Sequence, residues 1–463
     1  MLFNSVVFLF GFLPIAYIVF WALRTAEARY RWLAVTGYVF YGYWNPWFCF
    51  LMAFSTLVSF TAGLGMLRWS DPHRRRLCLI IPVTVDLSLL GFFKYANFGA
   101  STIRGAAHLA GVDLNIPHLD IILPIGISFY TFHTISYIVD SYRRTITPTR
   151  NFFEFAAYVS LFSQLIAGPI VRFRQIEADL EALGRDDRAK WVRLGLTFFV
   201  VGLVEKVLIA DSIAAYVDPA LASYRSLSTA GAWSAMLGYT WQLYFDFSGY
   251  STMAVGLGLL FGLHIPQNFN SPYKALDPSD FWQRWHISLS SCLRDYLYIP
   301  LGGNRHGTVE TYRNLMLTML IGGLWHGASW TFVAWGAYHG IMLCAHRLYR
   351  AQWDPLPRVV RQLAMFVAVL LGWVLFRATS FGMAASLFAT MFRWVPGTMP
   401  AAFAMAAPVF VIAAWWSMIG PNPFEMRYGN WSLPTRMVLT AGFAAALAMI
   451  VSARPSPFLY FQF

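Results

Sequence analysis

The chain has 463 residues, of which 58% are hydrophobic and only 12% charged. Soluble domains carry about 25% charged residues, so the composition excludes a soluble globule of this length and indicates a polytopic membrane protein. The formal charge of +12 does not make it a nucleic-acid binder: the basic residues fall between apolar runs, as in cytoplasmic loops, and no nucleic-acid motif accompanies them.

The first apolar run, "FNSVVFLFGFLPIAYIVFWAL", has no basic segment before it and no small-residue cleavage site. It reads as a spanning helix that is kept. Further runs follow at roughly 32–43, 47–67, 77–93, 120–139, 152–170, 191–210, 229–247, 250–263, 314–345, 359–378, 382–393, 402–420 and 435–452. Taken together they predict an all-α bundle of about eleven transmembrane helices, with some segments too short to cross. No soluble insertion and no internal repeat interrupts them, so residues 1–463 read as one polytopic domain. Cys49, Cys78, Cys292 and Cys344 form no CxxC pair and read as small buried hydrophobes.

Lys and Arg set the orientation. Arg24, Arg29 and Arg31 precede one pair of runs and Arg68, Arg74, Arg75 and Arg76 follow it, with a turn at "WNPW" between them. Both basic loops are therefore cytoplasmic, the 99–119 stretch is external, and Arg143, Arg144 and Arg150 are cytoplasmic again. The run 152–170 then breaks the pattern, because basic residues flank both of its ends. It is expected to re-enter, with Gly168-Pro169 ending its helix. The run 314–345 behaves alike, with Arg313 before it and Arg347, Arg350 and Arg358 after it. A turn at "HGAS" divides it into apolar arms of about 14 and 16 residues, roughly 21 to 24 Å each. Neither comfortably spans the membrane, so the turn and His326 lie at bilayer depth, where irregular backbone must be buried in protein or line a wet cavity.

Two readings of His326 stand. It is a core histidine bonded to a helix carbonyl, or it is a site residue. Ionisable groups at membrane depth are costly and usually functional, neighbouring glycines admit close approach, and a desolvated ring favours the neutral form that a general base requires. The stretch "DFWQRWHISLSSCLRDYLYIPLGGNRHG" is aromatic yet carries Arg284, His286, Arg294 and Asp295. On one continuous helix Trp282, Trp285, Leu289 and Leu293 share a face. It is either an interfacial helix with snorkelling arginines or a tunnel wall delivering His286 towards His326. His133 and His339 lie in apolar runs and either line the same cavity or pack in the core. No Walker A, GxGxxG, GxSxG, HExxH or HxH pattern occurs, so ATP-driven, hydrolase and metal-site readings lack support, and no metal is expected.

Five stretches, "LPIGISFYTFHTISYIVDSYRR", "LFSQLIAGPIVR", "FWQRWHISLSSCLRDYLYIPLGGNR", "GGLWHGASWTFVAWGAYHG" and "GWVLFRATSF", resemble in this order the membrane-bound O-acyltransferase family, above all the bacterial branch that acetylates alginate and other exported polymers. The resemblance covers about residues 5–385; the spans at 400–452 are less diagnostic. It implies spanning, re-entrant and interfacial helices around a central tunnel in a bacterial inner membrane. It also implies a catalytic His326 and a second functional histidine, His286; His326 is then expected to take a proton from an acceptor hydroxyl or to carry the acyl group itself, and His286 to orient or polarise the thioester carbonyl. Eukaryotic members often have asparagine at that upstream position. Trp325, Tyr296, Asp295, Arg294, His339 and His133 are the tunnel-lining candidates. The implied donor is cytoplasmic acetyl-CoA, a substrate; no bound cofactor is expected. The implied partners are membrane lipid, an exported polysaccharide acceptor and an extracytoplasmic acetyltransferase protein. Arg143, Arg144, Arg172 and Arg174 either attract the CoA phosphates or reflect the charge rule alone. Two alternatives remain at this level: transfer of D-alanine from a carrier protein to teichoic acid, and a transporter or flippase built on Asp86, Glu205, Lys206 and Asp246.

Single cysteines introduced at positions 75 and 145 are expected to resist an impermeant thiol reagent in intact cells, while one at position 115 labels from outside. External labelling at 75 or 145 contradicts the assigned orientation.

Overall fold

The computed structural model describes every residue except 167, 184–187, 398–400, 427–431, 453–458 and 460–463. Among the described residues all regular structure is helical, as the composition predicts. Among the described residues, four helices are long and apolar enough to cross a membrane: Phe48–Arg68, Pro72–Leu109, Arg358–Arg377 and Leu433–Ser452. Shorter apolar helices occupy Val7–Ala22, Phe381–Phe392 and Ala407–Met418. The apolar runs are therefore not all single helices of spanning length and hydropathy, because other long helices interleave polar side chains that they bury against protein.

The chain divides into two compact units, residues 1–195 with 254–266, and residues 196–253 with 267–463. In the first, helix ends follow local chemistry. Thr25 caps Ala26–Gly42 by accepting from the Ala28 N–H. Asp71 caps the next long helix, with Pro72 supplying its preset φ at the first position. The "WNPW" turn is present, Asn45 Oδ1 accepting from the Trp47 N–H at 3.0 Å. The helix through Lys94 continues to Leu109 across a π-helical turn, so only the later part of the stretch read as an external loop is non-helical.

The 152–170 run departs further from expectation. Its helix, Phe152–Ser160, has nine residues and a length of about 13 Å, and it ends well before Gly168-Pro169. The backbone that follows, at 161–166 and 168–172, is irregular and buried. Some of its polar groups are met within the protein: Gln164 Nε2 donates to the Tyr158 carbonyl at 2.6 Å and Tyr158 Oη to the Val171 carbonyl at 3.0 Å. Non-helical chain in an apolar setting requires such internal pairing. A buried carboxylate is treated the same way, Asp86 accepting from Ser55 Oγ at 2.6 Å and Thr134 Oγ1 at 2.7 Å.

In the second unit the principal device is an antiparallel pair of helices, Thr308–His326 and Trp330–Trp353. The turn between them falls at Gly327–Ser329, where the sequence places it, and Ser329 caps the second helix through the Thr331 N–H. The arms have 19 and 24 residues, longer than their apolar portions because the polar flanks remain helical. Length alone therefore does not keep them from crossing; limited hydropathy sets them apart from the four spanning helices. The arms meet backbone to backbone. A side chain at Gly323 would collide with the Phe332 carbonyl and one at Gly336 with the Met319 carbonyl. This small-residue contact is the membrane-protein way of bringing helices close.

Gly336→Val is expected to part the arms, at a cost of about 1–3 kcal/mol for overpacking. It should lower the thermal unfolding midpoint of the purified protein and abolish its activity. Gly382→Ala, whose added carbon meets nothing nearer than 3.7 Å, is the matched control. An unchanged midpoint for Gly336→Val contradicts the close packing.

Candidate active site

His326 is the last residue of the Thr308–His326 helix, at the mouth of the turn. Only 5% of it is exposed. Its ring lies 5.0 Å from Trp335 and 5.4 Å from Phe376, centre to centre, with Trp325 at 5.1 Å. Trp335 comes from the second arm and Phe376 from the Arg358–Arg377 helix, so three helices fix one imidazole.

His286 arrives by a different route. The segment read as one amphipathic helix is two, Pro278–Arg284 and Ile287–Leu293. His286 breaks it by adopting the left-handed conformation, φ 45° and ψ 54°. A non-glycine residue there is strained, although histidine is among the types that tolerate it. The neighbouring chain stabilises the break. The Asn270 N–H donates to the Arg284 carbonyl and the Ile287 N–H to the Asn268 carbonyl, both at 2.9 Å. Asp277 caps the first half through the Ser279 and Asp280 N–H groups, each at 2.9 Å. The kink turns the His286 ring inward, where it is fully buried against Phe247 at 4.7 Å and Trp325 at 6.0 Å.

The two imidazole centres lie 6.4 Å apart. Facing ring nitrogens at that separation come no closer than roughly 4 Å, the span of one oxygen hydrogen-bonded to both. Forty residues apart in sequence, the histidines thus share a largely aromatic pocket. Asn268 is the polar side chain that grips His286: its Oδ1 lies 3.1 Å from His286 Nδ1 and also accepts from the Ser288 N–H at 3.1 Å and Ser288 Oγ at 2.8 Å. Its Nδ2 donates to Ser251 Oγ at 3.1 Å.

Other sequence candidates fall in different places. Trp325 is buried beside both histidines, its ring 6.0 Å from His286 and 5.1 Å from His326. His339 is fully buried one aromatic ring farther away, 4.8 Å from Trp335, and among the described residues neither of its nitrogens has a hydrogen-bond partner. Arg294 and Asp295 form an ion pair with each other at 2.7 Å, the arginine largely exposed. Tyr296 shares their π-helical turn. His133 belongs to the first unit, packed against Tyr158. Among the described residues no three His, Cys, Asp or Glu side chains converge on a metal position. Asn268, Ser251, Trp335 and Phe376 were not singled out by sequence reasoning. "PQNFNSP" reads simply as a turn, and nothing local marks one of its asparagines as a partner of a histidine 18 residues on.

A cavity of about 560 Å³ opens elsewhere in the second unit, lined by Asp277, Asp280, Tyr298, His346, Arg347 and Arg350 among others. It includes Leu315, roughly 16 Å along the first arm from His326, so it is not the histidine pocket. Two of its carboxylates are already engaged, Asp277 as a helix cap and Asp280 with Arg284.

Residues 141–388 match the model of the membrane-bound O-acyltransferase family. A probable alginate O-acetylase AlgI of Azotobacter vinelandii is 46% identical over 86% of this chain and 79% of its own length. A second protein of that name, from Pseudomonas putida, is 40% identical over the whole of both chains. A peptidoglycan O-acetyltransferase of Helicobacter pylori is 38% identical over 82% of this chain and 77% of its own. The buried histidines, their aromatic setting and the helical membrane architecture thus belong to a chain that is a member of the membrane-bound O-acyltransferase family, a multi-pass acyltransferase.

Proposed function

We propose that this protein O-acetylates an exported polysaccharide of the alginate type, drawing acetyl groups from cytoplasmic acetyl-CoA across a bacterial inner membrane. The observation that carries the reading is the buried pair His286–His326 at the turn between two long helices. A base held away from water, 6.4 Å from a second imidazole, suits transfer to a hydroxyl, where competing hydrolysis must be kept out. The names of the relatives support acetyl as the acyl group and a polymer as the eventual acceptor.

In the proposed step His326 takes the proton of the acceptor hydroxyl as its oxygen attacks the thioester carbonyl. The carbon–sulfur bond breaks, the thiolate leaves, and the proton passes from His326 to sulfur. The products are an acetyl ester and free CoA. Because CoA is too polar to cross the bilayer, only the acetyl end enters the pocket. The cavity lined by Arg347 offers a cation for the donor's phosphates at a distance that a flexible pantetheine arm must span. An extracytoplasmic partner protein completes delivery to the polymer.

A transporter reading would assign Asp86, Glu205, Lys206 and Asp246 to a permeation path. Each is instead engaged locally. Ser55 and Thr134 hold Asp86, Ser248 and Thr252 hydroxyls face Glu205 at 3.2 and 3.4 Å, and Lys206 sits between Asp211 and Asp246 at 2.6 and 2.5 Å. Buried charges paired in this way serve packing.

His326→Ala is expected to insert and purify like the parent protein and to lose acetyl transfer by about 10² or more, the scale of a positioned base. The assay is CoA thiol release from acetyl-CoA together with O-acetyl content of the polymer in cells. A well-folded variant with near-parental transfer contradicts the assignment.

A further inference from the structure

The hydrogen bonds around Asn268 fix which of the two His286 nitrogens carries the proton. A backbone N–H only donates, and the Ser288 N–H points at one atom of the Asn268 amide at 3.1 Å. That atom is therefore the oxygen; turning the amide over would set N–H against N–H. Ser251 Oγ, 3.1 Å from the other amide atom, completes the arrangement by accepting from Nδ2. His286 Nδ1 lies 3.1 Å from the same oxygen, so it must donate to it, because two lone pairs facing each other would repel. The Ser288 hydroxyl does not offer an alternative donor to Nδ1. It is 2.8 Å from Asn268 Oδ1 and 3.5 Å from Nδ1, so the amide oxygen is its closer acceptor.

We infer that Asn268 is a positioning residue that locks neutral His286 as the Nδ1–H tautomer, so that His286 presents a lone pair, and not a proton, at Nε2. This deepens the proposed function and rests on it. A ring with its only N–H committed to Asn268 has no proton with which to polarise a thioester carbonyl, one of the two roles, orienting or polarising, expected of it from the sequence. It is suited instead to accept a hydrogen bond from His326, through one bridging oxygen, once His326 has taken the hydroxyl proton. The separation of 6.4 Å between ring centres leaves room for such a bridge, and an acceptor beside an imidazolium both orients and stabilises it. The left-handed backbone at His286 has a purpose on this account: it brings Nδ1 to Asn268 while the Ile287 N–H reaches the Asn268 carbonyl at 2.9 Å, fixing ring and backbone to one residue.

The test uses the full-length protein in lipid nanodiscs, acetyl-CoA as donor and a short alginate oligosaccharide as acceptor. Nitrogen-15 spectra of ring-labelled histidine, with the His286 signals assigned by their loss in His286→Gln, should show a protonated Nδ1 and an unprotonated Nε2 in the unmodified protein. The opposite tautomer overturns the inference whatever the variants do. Asn268→Leu removes the acceptor and should lower kcat by roughly 10–100-fold with KM for acetyl-CoA within about threefold, as expected for lost orientation. Asn268→Asp keeps an oxygen for Nδ1–H and for Ser288, and the Ser251 hydroxyl can turn to donate to it; it should retain at least about a third of kcat. Parental kcat in a folded Asn268→Leu, or an Asn268→Asp as impaired as the leucine variant, also overturns it. If the unmodified protein consumes no acetyl-CoA thioester, it is the functional reading that fails and not the tautomer, which the spectra report independently.

Discussion

The close approach of the helices Thr308–His326 and Trp330–Trp353 is the contact on which the rest of the site depends. At Gly323 and Gly336 backbone meets backbone, leaving no room for a side chain. The two long helices are joined by a short turn at Gly327–Ser329, and the residue that ends the first helix is His326. Trp335, one residue before Gly336, consequently lies against the imidazole at 5.0 Å. A packing requirement, met by two glycines, thus becomes the placement of a chemical group.

Within each of the two units, several polar groups inside the apolar structure are paired with protein partners. Asp86 is bonded by two hydroxyls, Lys206 by two carboxylates, and the irregular chain after Ser160 by Gln164 and Tyr158. Asn268 applies the same principle where chemistry is proposed. Its amide satisfies the His286 ring, the Ser288 backbone and side chain, and Ser251 together. The strain of a left-handed histidine persists because these bonds over-determine its position.

Much of this is legible in the sequence, for identifiable reasons. A histidine among glycines and tryptophans in an uncharged run has few tolerable environments, so His326 and its turn stand out. The helical class follows from composition alone. Helix lengths do not, because apolar runs mark where side chains are greasy and not where backbone stays helical: the arms of the hairpin extend beyond their apolar portions, and the 152–170 run holds only a nine-residue helix. The break at His286 also escapes pattern reading, since the spacing of Trp282, Trp285, Leu289 and Leu293 suits a continuous helix; the bonds that interrupt it come from Asn268 and Asn270, outside the window. Arg294 and Asp295 illustrate the reverse case, polar residues in an aromatic stretch that pair with each other, with Arg294 largely exposed.

The central claim is that acyl transfer takes place between His286 and His326. It is tested most directly by an experimental structure of the protein with a non-hydrolysable acetyl-CoA analogue. The account predicts the carbonyl carbon of the analogue within about 4 Å of a His326 ring nitrogen, in the pocket walled by Trp325, Trp335 and Phe376, with His286 Nδ1 still on Asn268. An analogue whose acyl end lies outside that pocket, away from both rings, contradicts it.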